Sequence, residues 1–236
     1  MSAPRIAVIG TGRMGSVVRQ LATERGWPVV AWIGSRGNDR GAAITPETLG
    51  GADVAIEFTT PSAAPDNIRA CAGARCPVVV GTTGWYDERE RVERDVLLAN
   101  GAMLCAPNFA LGVNVYWQVA ELAARLAGSV PGFDAHIVET HHAAKKDAPS
   151  GTAVELARLG AAALGRDIPV TSIRTGSVPG THELVLDAPF EQIRVEHVAR
   201  DRRVFADGAL HAAQWLIGRH GVFTMRDLLV AECRPS

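Results

Sequence analysis

Short apolar runs alternate with helix-like segments from residue 5 to about residue 107. Residues 5–9, Val29–Ile33, 54–58, Val78–Val80 and Ala102–Cys105 are strand-sized and bounded by turn residues. Between them, residues 14–25 (ending at Gly26), 63–71 and 87–100 carry apolar positions at helical spacing. Strand, helix, strand at this rhythm predicts a parallel sheet with helices on both faces. Right-handed crossovers then bring every strand C-terminus to one edge, where ligands bind. Beyond Pro107 the rhythm changes. A long helix is predicted over 113–126, then strands over 136–140, 170–175, 181–187 and 192–199, with one clear helix at 152–164. Strands without intervening helices indicate a mixed sheet in a separate α+β domain. From Gly208 the pattern is helical again, over 209–219, and returns to the first domain.

Hydrophobic residues make up 47% of the 236 and charged ones 21%, an ordinary globular balance with enough chain for a large core. The formal net charge of −1 leaves no electrostatic footprint for nucleic acid or for an acidic membrane surface. Cys71, Cys76, Cys105 and Cys233 lack C-x-x-C or zinc spacing, and read as reduced thiols. The start of the chain carries no apolar core of signal-peptide length, and no run approaches a membrane span. The expected location is cytoplasmic.

Gly10-Thr11-Gly12-Arg13-Met14-Gly15 follows a strand and opens a helix. Chemistry explains the glycines: one for the tight turn, one for backbone approach to a pyrophosphate, one for close helix–strand packing. In this context G-x-G-x-x-G indicates a dinucleotide site of Rossmann type, with phosphates held at the helix N-terminus. After the second strand an NAD site usually has an acid for the ribose hydroxyls. Here Gly34-Ser35-Arg36 follows, with no acid before Asp39. A hydroxyl and a guanidinium suit a 2′-phosphate, so NADPH is favoured, with NADH as the second cofactor.

The run Glu139-Thr140-His141-His142-Ala143-Ala144-Lys145-Lys146-Asp147-Ala148-Pro149-Ser150-Gly151-Thr152 concentrates proton donors beside an anion site. His141 and His142 titrate near neutral pH, and Lys145 adds a charge or a proton. Ser150, Gly151 and Thr152 precede a helix, where hydroxyls and N–H groups collect carboxylates. The plainer alternatives are solvated loop histidines and an ordinary helix cap. A zinc site is poorly supported, with no nearby cysteine and no H-E-x-x-H; no metal is expected.

The same run resembles the signature E-x-H-H-x-x-K-x-D-A-P-S-G-T-A of the 4-hydroxy-tetrahydrodipicolinate (dihydrodipicolinate) reductases. Gly10–Gly15, Glu57-Phe58-Thr59, Gly81-Thr82-Thr83-Gly84 and Ala106-Pro107-Asn108-Phe109 continue the likeness in order, as do Arg174-x-Gly176, Gly180-x-His182 and Phe205-Ala206-x-Gly208-Ala209. The resemblance implies an NAD(P)H-dependent reductase acting on a cyclic dicarboxylate in lysine and diaminopimelate biosynthesis. It implies His141 as proton donor and Lys145 as a second, with His142, Ser150, Gly151 and Thr152 on the substrate. It implies Gly10, Thr11, Gly12, Arg13, Met14, Gly15, Ser35, Arg36, Gly81, Thr82, Thr83, Ala106, Pro107, Asn108 and Phe109 on the cofactor. Ser35 stands where many members carry the ribose-binding acid, and Ala110 where a serine is common. A homotetramer built through the substrate domain is also implied.

The expected fold is α/β: residues 1–107 and 209–236 as a Rossmann-type dinucleotide-binding domain, 108–208 as a smaller α+β domain for substrate and oligomerisation, with a mixed sheet. The glycine turn and the His141–Thr152 run are expected to face each other across a cleft, with hinges near Asn108–Phe109 and Gly208. Two other readings compete. A redox sensor that binds dinucleotide without turnover would not need proton donors beside an anion site. Another two-domain amino-acid dehydrogenase would lack the H-H-x-x-K-x-D-A-P-S-G-T run.

Overall fold

In the computed structural model, which describes residues 3–233, β1 (Ile6–Ile9), β2 (Val29–Ile33), β3 (Val54–Glu57), β4 (Val78–Val80) and β5 (Ala102–Cys105) belong to one parallel sheet. All but β2 are buried along their whole length, as a parallel sheet covered on both faces requires. The helices α1 (Arg13–Glu24), α2 (Ala64–Gly73) and α3 (Arg89–Leu98) connect the strands. Side chains alternate across the sheet. Ala7, Ile9, Ala55, Val78, Val80, Met103 and Cys105 share one core with Ile68 and Cys71 of α2 and Val92 and Val96 of α3. The opposite set, including Ile6, Val8, Ile56 and Leu104, is fully buried as well.

The middle of the chain forms its own unit, Leu111–Arg202. It contains α4 (Leu111–Gly128), β6 (Asp134–His141), α5 (Gly151–Leu164), β7 (Val170–Arg174), β8 (Thr181–Ala188) and β9 (Glu191–Val198). The sheet order is β7-β6-β8-β9; β6 and β7 run parallel and the other pairs antiparallel, so the sheet is mixed. In β6, Ala135, Ile137, Glu139 and His141 point to the buried face, joined by Leu184 and Leu186 of β8. The helix α5 begins at Ser150, whose Oγ accepts from the Ala153 N–H, and ends at Gly165 (φ +70). That is a side-chain N-cap and a left-handed glycine stop.

From Arg203 the chain rejoins the first unit. The helix α6 (Arg203–Leu216) packs on α1 and leans on β3, β4 and β5. Then β10 (Gly221–Phe223) adds a parallel edge strand beside β5, giving the order β10-β5-β4-β3-β1-β2, and α7 (Met225–Glu232) follows a capping box at Thr224 and Asp227. The sequence rhythm places the unit boundaries at 107/108 and 208/209; the chain changes units at 110/111 and 202/203. The sequence reads as helical only from Gly208, whereas α6 already begins at Arg203 and holds Gly208 buried within it. The helix therefore starts six residues before the expected 209, and the second crossing lies at Arg202 rather than Gly208. The outermost ends of the expected first domain, 1–2 and 234–236, lie outside the described residues. No described helix is long and apolar enough to cross a membrane.

Two glycines set the start of α1. A Cβ at Gly15 would fall on the Gly10 carbonyl oxygen, and one at Gly10 (φ +115) on the Phe58 carbonyl oxygen. Gly12 differs: nothing lies within 4 Å of where its Cβ would stand. Gly15→Ala is therefore expected to lower stability by ~1–3 kcal/mol through overpacking. Gly12→Ala should stay within about 1 kcal/mol of the parent, the scale of an N-cap change. Urea unfolding of both variants checks the contrast, and equal losses would contradict it.

Candidate active site

Because all the strands of the large sheet are parallel, the loops after β1, β2, β3, β4 and β5 collect at one edge. These loops carry Gly10–Gly15, Ser35 and Arg36, Phe58 and Thr59, Gly81–Thr83, and Ala106–Phe109. The chain passes from β2 on one side of β1 to β3 on the other, which opens a crevice above Gly10. At that point α1 has no side-chain N-cap and no acid in its first turn, and Thr11, Gly12 and Arg13 are exposed. Open space at Gly12, unclaimed first-turn N–H groups and a positive helix end suit a pyrophosphate. Ser35 and Arg36 are also exposed.

Neighbouring loops are tied from below. Glu57, fully buried at the end of β3, accepts from the Thr59 hydroxyl and, at 3.5 Å, from Asn67 Nδ2; the Thr59 N–H donates to Thr82 Oγ1 at 2.7 Å. Burial pushes the Glu57 carboxyl up, against hydrogen bonds from Thr59, Thr82 and Asn67. A Cβ at Gly81 would collide with the Phe58 ring, which packs edge-on against Phe109 at 6.1 Å between centroids.

The second unit gathers a different set. Glu139 and His141, two apart on β6, point to the same side of the sheet. The register puts Arg174 opposite His141 and His182 opposite Glu139. Glu139 is fully buried: one oxygen accepts from His141 Nδ1, and Oε1 accepts from Arg174 Nη2 at 2.6 Å and from the Ser150 N–H at 3.3 Å. His182 Nε2 lies 3.0 Å from Ser150 Oγ, and its ring meets that of His141 edge-on at 5.0 Å. Arg174 also donates to the Asp147 carbonyl at 2.6 Å, while Lys145 Nζ reaches both Asp147 carboxylate oxygens at 2.8 Å. The loop from His142 to Pro149 is thus fastened at both ends beside the exposed start of α5 at Gly151.

Burial by itself would raise the Glu139 carboxyl, but Arg174, Ser172 and His141 outweigh it and hold it at about 2. Burial lowers His141, the Lys145 and Arg174 charges push the same way, and Glu139 opposes them. His182 is pushed down to about 4, mainly by burial and then by His141. At neutral pH the set is a carboxylate beside two largely neutral imidazoles. Donor atoms of Glu139, His141 and His182 lie within 4.8 Å of one another, close enough for a metal. However, Arg174 already neutralises Glu139, and a cation there would meet the guanidinium at close range. Proton handling fits this set better than metal binding.

The family described as dihydrodipicolinate reductase, N-terminus, matches residues 4–109, and its C-terminus counterpart matches residues 112–229. The chain belongs to the dihydrodipicolinate reductase family. The 4-hydroxy-tetrahydrodipicolinate reductase of Christiangramia forsetii is 34% identical over 238 residues, covering 95% of this chain and 97% of that one. The same enzyme of Laribacter hongkongensis is 34% identical over 267 residues, covering 97% and 99%. In fold, a dipicolinate-bound dihydrodipicolinate reductase from Paenisporosarcina sp. TG-14 superposes with a TM-score of 0.80 at 22% identity, over 94% of this chain and 98% of that one.

Within this reductase-family chain the expected site residues fall into two groups. The cofactor set lies along one edge of the large sheet. In the other unit, His141 is buried in the cluster, Lys145 sits half-buried in the adjoining loop, and Gly151 and Thr152 open α5. Ser150 spends its N–H on Glu139 and its hydroxyl on Ala153 and His182, so it braces the helix start. His142 turns away from His141 and accepts from Arg202 Nη2 at 2.7 Å. Sequence reasoning assigned no role to Glu139, Arg174, His182 or Arg202. The i, i+2 spacing of Glu139 and His141 was the one local signal; the other pairings depend on strand register.

A neutral buried His182 has a consequence for stability. Its folded value of about 4 lies below the ordinary 6.5, so the unfolded chain takes up the proton first. Its contribution is complete above pH 6.5 and is lost as pH falls from 6.5 to 4. The loss is expected to be on the order of 3 kcal/mol. In His182→Gln most of that slope should vanish. Denaturant unfolding at intervals from pH 7 to 4 measures it, and parallel curves for parent and variant would contradict the assignment.

Proposed function

We propose that this chain reduces 4-hydroxy-tetrahydrodipicolinate to tetrahydrodipicolinate with a nicotinamide dinucleotide as reductant, on the way to lysine and diaminopimelate. The observation that carries this reading is the joining of His141, Arg174 and the Ser150 N–H on one buried carboxylate beside the N-terminus of α5. Relatives at 34% identity over nearly the full chain bear the name of that activity. The Paenisporosarcina reductase holds dipicolinate, a planar dicarboxylate, and we extend that ligand class to this chain.

When bound, the dinucleotide supplies the hydride. The chain's own part begins with the Gly10–Gly15 turn and first-turn N–H groups of α1, which hold the phosphates. Gly81, Thr82, Thr83 and Ala106–Phe109 line the rest of the cofactor edge. His141 donates from Nδ1 to Glu139 and so leaves Nε2 as the atom that takes up a proton and passes it on. Lys145, held by Asp147, is the second proton source. The N–H groups opening α5, with Thr152 and His142, take the substrate carboxylates. The reading includes a cytoplasmic location and a homotetramer built through the second unit. Supporting the latter, Ile173 and Val198 stand exposed on the sheet face opposite Glu139, and Phe190 is fully exposed at the β8–β9 turn.

Loss of NADPH absorbance, with substrate generated in place from aspartate semialdehyde and pyruvate, tests the activity. His141→Ala and Lys145→Ala should each lower turnover ~10²–10⁴-fold, the usual share of an acid–base group. Dinucleotide affinity should barely change. Near-normal turnover in both variants would remove these roles.

NADPH is proposed to serve at least as well as NADH, because Ser35 and Arg36 follow β2 where a ribose-binding acid would repel a 2′-phosphate. A charge-assisted bond of this kind contributes ~1.5–3 kcal/mol, roughly ten- to a hundredfold in affinity. Arg36→Ala should therefore weaken NADPH much more than NADH in titrations at fixed ionic strength. Equal weakening, or tenfold tighter NADH in the parent, would refute the assignment.

A further inference from the structure

Glu139 lies outside the groups expected to touch substrate or cofactor, yet its side chain holds several neighbours at once. It is fully buried, and its carboxylate takes donors from three places: His141 on its own strand, Arg174 and Ser172 on β7, and the Ser150 backbone at the start of α5. A carboxylate enclosed by protein needs such partners, and removing one leaves the others uncompensated. We propose that Glu139 is the positioning residue of the reaction, locking His141 into the Nδ1–H form with Nε2 presented outward and fixing that ring relative to the helix start that receives substrate. This deepens the reductase reading and rests on it.

The geometry allows little else. Next to His141 Nε2 stands Gly180, where a Cβ would sit 2.9 Å from that nitrogen, so a larger residue at 180 would crowd it. On the other side, Nδ1 is hydrogen-bonded to the Glu139 carboxylate. A glutamine at 139 has one carbonyl oxygen to offer, while Arg174, the Ser150 N–H and His141 Nδ1–H all need an acceptor. At least one of the three is then left without its partner.

The charges around His141 make the idea testable in both directions. Glu139 on β6 raises its proton affinity, whereas Lys145 in the loop and Arg174 on β7 lower it, and burial lowers it too. His182 on β8 faces the same ring and is itself held neutral. Removing the carboxylate should therefore move the His141 titration to lower pH, and removing the guanidinium should move it to higher pH. A merely structural role would move neither, or both alike.

The experiment uses the full chain with labelled histidine, following the His141 ring nitrogens by NMR through a pH titration, alongside the pH profile of NADPH oxidation. For Glu139→Gln the expected results are a lower His141 titration point, loss of the Nδ1–H preference, and turnover reduced at least ~10-fold, short of the ~10²–10⁴-fold that an acid–base group itself contributes. KM should change far less than turnover. The limb of the turnover profile on which His141 loses its proton should shift down with the NMR value. Arg174→Met should shift the titration up. Glu139→Asp, which keeps the charge, should recover part of the Nδ1–H preference and part of the turnover.

An unshifted titration in Glu139→Gln overturns the proposal, whatever happens to turnover. So does a shift in the same direction for Glu139→Gln and Arg174→Met. Should Glu139→Gln not fold, the opposed shifts expected of Glu139→Asp and Arg174→Met against the parent decide the matter, and their absence overturns it. If the parent does not oxidise NADPH with this substrate, the reductase reading fails, while the NMR arm still judges the Glu139–His141 coupling.

Discussion

A carboxylate sealed from water must be satisfied by the protein itself, and in the second unit the Glu139 side chain sets the terms for its surroundings. Strand β7 runs parallel to β6 in the register that brings Arg174 into reach. The loop after β6 returns so that the Ser150 N–H points back to the same carboxylate. That return also fixes where α5 can start, since Ser150 is its N-cap. Arg174 then closes the loop from the other side through the Asp147 carbonyl. Isolated buried ion pairs give little net stability. Their value here is specificity: one loop path satisfies all the donors together.

The first unit obeys a constraint of a different kind, which is steric. Backbone meets backbone where Gly10 and Gly15 bring β1, α1 and the end of β3 together, and Phe58 presses against Gly81 in the next loop. Each contact closes one side of the edge where β1 to β5 end, and open space remains at Gly12. Glu57 supports the same edge from beneath through Thr59, Thr82 and Asn67.

Local pattern carried much of this into the sequence. Strands buried on both faces read as short continuous apolar runs, the glycine turn has its fixed spacing, and Ser150-Gly151-Thr152 marks a helix start that the fold retains. The losses came where local rules and tertiary context diverge. The helix read over 209–219 begins instead at Arg203, with Gly208 buried inside it. The three residues of β10 are too few to show a period, and they form a strand because β5 offers a free edge. The proton-donor run was legible as chemistry, but not its supports. Arg174 and His182 approach Glu139 and His141 only through pairings 35 and 41 residues away in sequence, and Arg202 reaches His142 across 60. No window short enough to show periodicity contains both members of such pairs.

The return of the chain at Arg203 bears on how the protein comes into being. During synthesis the second unit is drawn from uninterrupted chain, and all four of its strands have emerged once residue 202 clears the ribosome. The first unit has no such option. Its sheet lacks the cover of α6 over β3, β4 and β5, and its outer strand, until about a hundred further residues have been made after β5. The apolar strands β3, β4 and β5 wait in the meantime without that cover. The nascent domain thus has a window of exposure in which chaperones would be most needed, and the order of assembly runs from the middle of the gene product outward.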